Sequence, residues 1–166
     1  SITVTGLSGL TTYHIRARSE DASGNLGLSQ DLSFTTLEAA TFTQRVNVGG
    51  SSFTGSDGRE WDADQAYSSG SWGYVGSNTG VGTTDDEIAD TEDDVLYHTD
   101  RYRLDAYRFT VPEAGTYSVE LRFSETYQTE IGTRIFDVQL EGSTVLNDLD
   151  LVAVAGHDVA ADYTFE

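Results

Sequence analysis

The pattern that most constrains the fold of this chain is a period-two alternation of apolar and polar residues between positions 107 and 146. Residues 107–111 read YRFTV and residues 117–123 read YSVELRF, with the only proline and a Glu-Ala-Gly turn between them. Residues 135–140 and 144–146 alternate in the same way around a Glu-Gly-Ser turn. Side chains two apart share a face of a strand, so the first two runs predict a hairpin with one buried face. Because no stretch keeps a 3.6-residue apolar period for three turns, the sequence predicts an all-β chain.

Charge narrows the classes of partner. The chain carries 28 acidic residues against 9 basic ones, for a net charge of −19, and every basic residue is an arginine. Such a surface repels phosphates, so nucleic acid and anionic membrane surfaces are predicted to be poor partners. No apolar run approaches the roughly 20 residues that a membrane helix needs, which predicts no membrane insertion. With no cysteine, disulfides and thiolate metal sites are excluded.

The acidic, lysine-free composition also predicts a surface adapted to high salt, where a dense carboxylate shell is screened and hydrated. We expect the melting temperature to rise between low and molar salt, as measured by thermal unfolding at a series of salt concentrations. A melting temperature that falls or stays flat contradicts this halophilic interpretation.

The N-terminal segment has its own strand pattern. Alternating residues around Tyr13 and a closing Ser-Phe-Thr-Thr run enclose a turn cluster at residues 21–25. This segment resembles the final three strands of a fibronectin type III sandwich, with Leu7 and Tyr13 at the positions of its tyrosine corner. The resemblance predicts two domains: a partial fibronectin type III-like domain over residues 1–38 and a second β-domain over residues 39–166.

Residues 51–82 alternate only weakly and are rich in glycine, serine and aromatic residues. Because long irregular segments that keep many aromatics are typical of binding loops, this stretch is predicted to be one. The following acidic segment, 84–94, has two interpretations: a calcium site, or a solvated salt-adapted loop. Its spacing is not that of an EF-hand, so no cofactor is assigned, and calcium stays a possibility. Its carboxylates are Asp85, Asp86, Glu87, Asp90, Glu92, Asp93 and Asp94.

A series of motifs in residues 44–166 resembles the malectin family. They are VNVGG at 46–50, WDAD at 61–64, VLYHTDR at 95–101, the Tyr117–Glu125 run, RIFDV at 134–138 and Ala-Gly at 155–156. The resemblance implies an antiparallel β-sandwich of jelly-roll type that binds carbohydrate, and a module that occurs beside fibronectin type III domains. The implied function is non-catalytic carbohydrate binding within a larger extracellular or cell-surface protein.

The resemblance also implies the site. Its stacking residues correspond to Trp61, to Tyr74 or Trp72, and to Tyr127, and we expect Asp64 and Glu125 to hydrogen-bond at the rim. Aromatic faces with carboxylates beside them suit a pyranose, whose C–H faces are edged by hydroxyls. We therefore expect the rings of Trp61, Tyr74 and Tyr127 to converge on one open groove. Two departures predict an altered ligand: Gln128 stands at the second position of an aromatic pair, and the family's late aspartate lies beyond the end of this sequence.

Other interpretations remain open. Trp61 could equally be a core residue, because tryptophan is usually mostly buried. Glu125 and Asp137 could be the paired carboxylates of a glycosidase, although Asp137 alternates with apolar residues on a strand, which favours no enzyme. A different class is a structural filament or surface-layer subunit, completed by strands from copies of itself or from adjoining domains.

Overall fold

The computed structural model describes residues 4, 6–37 and 42–166 of this chain. The chain divides into two compact units, Ser1–Phe42 and Thr43–Glu166. The boundary predicted after residue 38 lies outside the described residues.

The described residues of the first unit contain four short strands. Strand β1 pairs antiparallel with β4, and β2 pairs antiparallel with β3 across the predicted turn, where Asp21 Oδ1 accepts hydrogen bonds from two backbone N–H groups. Tyr13 stacks on its cross-strand partner Phe34, and its hydroxyl accepts a hydrogen bond from Ser8 N–H at 2.9 Å. The strands are β1 (Thr12–Ile15), β2 (Arg18–Glu20), β3 (Leu26–Leu28) and β4 (Leu32–Thr35). The fibronectin type III assignment of this unit stays a prediction.

The second unit is built from short strands, and almost all of their pairs are antiparallel. Some pairs join neighbouring strands, and others, such as β8 with β11 and β12 with β15, join strands far apart in the sequence. It contains one parallel pair, between β5 and β7, within the described residues. Its strands are β5 (Val46–Asn47), β6 (Phe53–Thr54), β7 (Glu60–Ala63), β8 (Trp72–Val75), β9 (Gly80–Thr83), β10 (Thr99–Tyr102), β11 (Ala106–Phe109), β12 (Val119–Phe123), β13 (Phe136–Leu140), β14 (Ser143–Leu149) and β15 (Ala161–Phe165). The antiparallel sheets are consistent with a β-sandwich, so the predicted all-β fold class is confirmed.

Helical structure is confined to a 3-10 turn at Asp94–Leu96 and to the single turn α1, at Leu151–Val154, within the described residues. The side chain of Asp150 caps α1 by accepting a hydrogen bond from Ala153 N–H at 3.1 Å, as an N-cap residue does.

The two predicted turns between strands have different outcomes. The Glu-Gly turn between β13 and β14 is confirmed, because Glu141 and Gly142 have φ of +50° and +79°, the left-handed values that a tight hairpin requires. The hairpin predicted between β11 and β12 is wrong. Strand β11 pairs with β8, and β12 pairs with β15 near the end of the chain.

The segment 51–82 is also more regular than predicted, since it contains strands β6 to β8 and most of β9. These strands are two to four residues long. That length is too short for an alternation to stand out in the sequence.

The core of the second unit forms around the acidic segment. Ile88, in the middle of that segment, is 2% exposed and packs with Leu96 and Tyr97. Phe53 on β6, Trp61 on β7 and Ala160, just before β15, pack against this cluster. A single apolar residue thus anchors the acidic segment to the core.

Candidate functional site

The predicted site residues lie in three separate parts of the second unit. The first part is a buried polar cluster around Arg101 on β10. The Arg101 Nε lies 2.6 Å from Asp64 Oδ2, and the two side chains are 10% and 2% exposed. The same carboxylate accepts hydrogen bonds from Gly49 N–H at 2.8 Å and from the Tyr107 hydroxyl at 3.0 Å. Every contact of Asp64 is therefore made inside the protein.

The electrostatics of this cluster follow from its burial. Burial alone would lower the pKa of Arg101, but the hydrogen bond and the charge of Asp64 outweigh it and raise that pKa. Burial first, and the charge of Asp64 second, raise the pKa of Tyr107 well above its ordinary value. Arg101 and Tyr107 therefore keep their protons, and both side chains can donate to the carboxylate.

Trp72 and Tyr74 belong to a row of aromatic side chains on β8 and β11, which is the second part. They lie two apart on β8, and their cross-strand partners on β11 are Phe109 and Tyr107. Neighbouring ring centroids along the row are 6.4 to 6.5 Å apart. The Arg101 guanidinium lies 3.6 Å from the centroid of Tyr74, so one face of that ring is covered by a cation.

Trp61 lies elsewhere, on β7. It packs against the Ile88 core cluster, and the Arg122 guanidinium lies 4.9 Å from its ring centroid. Arg122 also pairs with Asp162, which accepts a hydrogen bond from the Tyr97 hydroxyl at 2.7 Å. These contacts agree with the core interpretation of Trp61.

Glu125 and Tyr127 lie in the third part, at the corner that follows β12. Glu125 is only 1% exposed, and its Oε1 accepts hydrogen bonds from Tyr127 N–H at 3.0 Å and from Gln128 N–H at 2.8 Å. Arg134 pairs with Glu125 at 3.0 Å, and its own side chain is 46% exposed. We call Glu125, Tyr127, Gln128 and Arg134 the Tyr127 corner.

The Tyr127 ring is the open element of this corner. Tyr127 is 78% exposed, whereas Trp61, Trp72 and Tyr74 are partly buried. The guanidinium carbon of Arg134 lies 6.0 Å from its ring centroid. Of the three rings expected to share a groove, Trp61 and Tyr74 make their contacts with the core cluster and with Arg101, so Tyr127 is left as the free stacking surface.

The loop after α1 is hydrogen-bonded to the backbone of the Tyr127 corner. Asp158 N–H donates to the Glu125 carbonyl at 3.0 Å, and His157 Nδ1 lies 3.1 Å from the Gln128 carbonyl. Because a carbonyl can only accept, His157 carries its proton on Nδ1 in this bond. The sequence marked His157 as a loop residue, and its position beside Ala155-Gly156 gave no sign of this partner.

Two residues that the sequence interpretation did not propose as ligand contacts lie at the edge of β10. Asp100 and Tyr102 point to the side of the strand opposite Arg101, because neighbouring residues of a strand face opposite ways. Tyr102 is 46% exposed, and Asp100 is also exposed. The opposite strand, β9, has glycine at both facing positions, Gly82 across from Asp100 and Gly80 across from Tyr102. This Gly-x-Gly spacing is the signal that could have found them.

Carboxylates of the acidic segment accept hydrogen bonds from backbone N–H groups and do not point towards one shared site. Asp93 accepts a hydrogen bond from Ser56 N–H at 2.7 Å, and Asp94 accepts one from Ile88 N–H at 3.3 Å. Within the described ranges, no group of three or more metal-ligating side chains is close enough together to hold an ion. The calcium interpretation of this segment therefore has no geometric support.

The glycosidase alternative also lacks a suitable pair of carboxylates. The oxygens of Glu125 are taken up by two backbone N–H groups and by Arg134. Asp137 lies on β13, where it accepts a hydrogen bond from Asp148 N–H at 2.8 Å. Each carboxylate has its own structural partner, whereas a hydrolytic pair must face a common substrate.

The antiparallel sheets are those of a β-sandwich domain. The chain belongs to the malectin domain family, whose model matches residues 42–166. Malectin of Danio rerio is 32% identical over 120 residues, covering 70% of this chain and 40% of that protein. Malectin of Homo sapiens is 40% identical over 73 residues, covering 43% of this chain and 25% of that protein. The chain thus spans well under half the length of these relatives.

Solved structures give a wider match. A beta-glucuronidase of Bacteroides uniformis has a TM-score of 0.64 and 26% identity, covering 93% of this chain and 19% of that one. A calcium-binding mutant of Bacteroides uniformis beta-glucuronidase 2 has a TM-score of 0.66 and 27% identity, covering 92% of this chain and 19% of that one. In each, the likeness is to a small part of a much larger protein.

None of the helices in the described ranges has the length and apolar character needed to cross a membrane.

Proposed function

We propose that residues 42–166 form a non-catalytic carbohydrate-binding module whose principal contact is the Tyr127 corner. The observation that carries the proposal is the contrast between Tyr127 and its support. A 78%-exposed aromatic ring follows two residues after a carboxylate that is 1% exposed and holds the backbone of the corner. Burying a charge is unfavourable unless it is well paired, so this corner is a built feature that presents a ring to solvent.

Family membership supports the same class of function, since the match to malectin homologues favours a carbohydrate-binding domain. A tyrosine ring can stack on the C–H face of a pyranose, and Gln128 and Arg134 supply donors beside it. Asp64 and Glu125 were expected at the rim as direct hydrogen-bonders. Their burial favours a different role, in which Asp64 fixes the β10 strand and Glu125 fixes the corner.

The other predicted sugar contacts, Trp72, Tyr74 and Trp61, stay in the proposal, and the structure supports them to different degrees. Trp72 and Tyr74 are partly buried in the aromatic row, so they would contribute a ring edge rather than a free face. Trp61, packed on the core, has the least support as a ligand contact.

The wider setting is also part of the proposal. We expect the module to act in a larger extracellular or cell-surface protein, with the first unit as a fibronectin type III-like neighbour. The alternative of a structural filament subunit completed by copies of itself gains no support from the family relationship.

Tyr127→Ala tests the proposal. The wild-type chain is expected to bind neutral disaccharides weakly on a glycan array and in a calorimetric titration. Tyr127→Ala is expected to weaken binding about 10-fold or more, because a stacked aromatic ring contributes about 0.5–1.5 kcal/mol beyond its buried area. Tyr127→Phe keeps the ring and is the matched control, expected to stay within about 3-fold of wild type. Equal affinities for Tyr127→Ala and wild type contradict the proposal.

A further inference from the structure

The loop after α1 places a histidine between the Tyr127 corner and a carboxylate. His157 Nδ1 lies 3.1 Å from the Gln128 carbonyl oxygen, and His157 Nε2 lies 3.1 Å from Asp158 Oδ2. A carbonyl and an ionised carboxylate can only accept hydrogen bonds. Both ring nitrogens therefore face acceptors, and only the imidazolium, which carries a proton on each nitrogen, suits both contacts.

The Asp158 carboxylate needs this positive charge. Its side chain is 21% exposed, and its Oδ1 is buried and accepts no hydrogen bond from any residue in the described ranges. Removing a carboxylate from water is costly unless a cation lies beside it. In the described part of the chain, the cation paired with Asp158 is His157. The geometry around both side chains thus favours the charged form of the histidine.

The same loop is bonded to the backbone of the Tyr127 corner. Asp158 N–H donates to the Glu125 carbonyl at 3.0 Å, and Glu125 and His157 form an isolated parallel β-bridge. Gln128 is held from two sides, because its N–H donates to Glu125 Oε1 at 2.8 Å and its carbonyl accepts from His157. Loss of the His157 contact would leave the residue next to Tyr127 with one of these two anchors.

The other charged groups near the loop do not change their charge in the same pH range. Carboxylates and arginine normally keep their charges between about pH 5 and 8, and tyrosine stays neutral, whereas histidine ordinarily titrates in that range. Glu125 is also paired with Arg134 at 3.0 Å. The titratable groups on the surrounding elements are Glu125 and Arg134 at the corner, Asp90 in the acidic segment, Asp150 at the start of α1, and Asp162 and Tyr163 on β15.

We propose that the His157 imidazolium is a positioning residue of the Tyr127 corner, and that sugar binding weakens when His157 loses its proton. This inference rests on the proposed function. In the neutral ring one nitrogen turns a lone pair towards an acceptor, so the contact with either Asp158 or the Gln128 carbonyl is lost. The corner is therefore fully held below the titration of His157, and its support decreases as pH rises through that titration.

Maltose titrations over a pH series test the proposal. Calorimetry on the full chain is expected to show wild-type affinity falling about 3- to 10-fold between about pH 5.5 and 8.5, as for loss of one net hydrogen bond. Asp158→Asn is expected to remove this dependence, because an amide can turn either its N–H or its oxygen to the ring. Asparagine also tolerates the left-handed backbone of residue 158, whose φ is +56°. A pH-independent wild type, or an equal fall in Asp158→Asn, overturns the proposal.

Histidine variants separate positioning from a general effect on the fold. His157→Asn keeps an N–H donor near the place of Nδ1, so it is expected to bind maltose within about 3-fold of wild type at low pH. His157→Ala removes the donor and is expected to bind about 3- to 10-fold more weakly, and neither variant should depend on pH. A pH-dependent affinity that persists in both variants contradicts the role of His157.

The other two histidines of the chain supply matched controls. His14 lies 2.6 Å from a carboxylate oxygen of Asp31, in the first unit, and His98 Nε2 lies 3.0 Å from the Asp86 carbonyl oxygen. His14→Gln and His98→Gln are both expected to keep the wild-type pH profile. Loss of the pH dependence in either control assigns the titration to another residue and overturns the proposal.

Nuclear magnetic resonance measures the coupling without any sugar. The ring nitrogen shifts of His157 are expected to show both nitrogens protonated at low pH, and the amide shifts of Tyr127 and Gln128 are expected to follow the same midpoint. A corner that does not respond while the ring titrates overturns the positioning role and leaves the sugar site standing. A wild type that shows the coupling but binds no sugar of a glycan array at any pH overturns the proposed function, and with it the pH control of binding.

Discussion

Replacement of Asp64 with alanine is expected to lower the free energy of unfolding of the second unit by about 3–5 kcal/mol. Removing the carboxylate leaves Arg101, whose side chain is 10% exposed, as a buried cation without its counter-charge. It also leaves Gly49 N–H and the Tyr107 hydroxyl without their acceptor. Chemical denaturation followed by tryptophan fluorescence measures the loss.

Asp57→Ala is the matched control for this variant. Asp57 also pairs with an arginine, Arg59, but both side chains are about half exposed, at 49% and 56%. Exposed pairs contribute about 0–1 kcal/mol, so the control should lose no more than that. The double variant Asp64→Ala, Arg101→Met removes the stranded charge and is expected to recover part of the stability. Equal losses for Asp64→Ala and Asp57→Ala contradict a central structural role for Asp64.

Replacement of Glu125 with alanine is expected to have the second-largest effect, on both stability and binding. It removes the acceptor of two backbone N–H groups and the partner of Arg134. Hydrogen bonds to a charged group contribute about 1.5–3 kcal/mol each, but Arg134 is half exposed and can be rehydrated, so we expect a net loss of about 3 kcal/mol. Sugar binding is expected to be lost with it, because the backbone that presents Tyr127 is no longer fixed.

Glu125→Gln separates the two effects, since it keeps the size and one accepting oxygen and should restore part of the stability. Asp137→Ala is the control for a catalytic interpretation of the carboxylates. Asp137 is exposed and accepts one N–H group, so its removal is expected to cost about 1 kcal/mol and to leave sugar binding unchanged. Folded Glu125→Ala protein that binds sugar like wild type would show that the corner does not carry binding.

The parts of the fold that were predicted correctly depend on local sequence. The β13–β14 hairpin is specified by two alternating runs and by a Glu-Gly turn whose residues adopt positive φ. The β11–β12 hairpin has similar local features and is not formed. Its strands find partners far along the chain, where pairing depends on the packing of the whole sheet, and alternation alone does not encode that choice.

For the candidate site, the sequence shows only which residues are close along the chain. The sequence placed Glu125 and Tyr127 together, but it could not tell that the carboxylate is buried while the ring is exposed, since both outcomes fit the same motif. Trp61 and Tyr74 were expected to be open, and their rings lie against the core cluster and Arg101 instead. Asp100 and Tyr102 were missed because their side chains lie over two glycines of the facing strand, a relation that exists only once β9 and β10 are paired.

The most direct measurement of the central claim is a nuclear magnetic resonance titration of the wild-type chain with maltose, followed through backbone amide shifts. The account predicts saturable shifts centred on the Tyr127 corner, above all at Tyr127 and Gln128. Shifts confined to another surface, such as the groove lined by Val154, Ala155 and Tyr163, would contradict it. So would a spectrum unchanged at high concentrations of maltose and of every sugar retained on a glycan array.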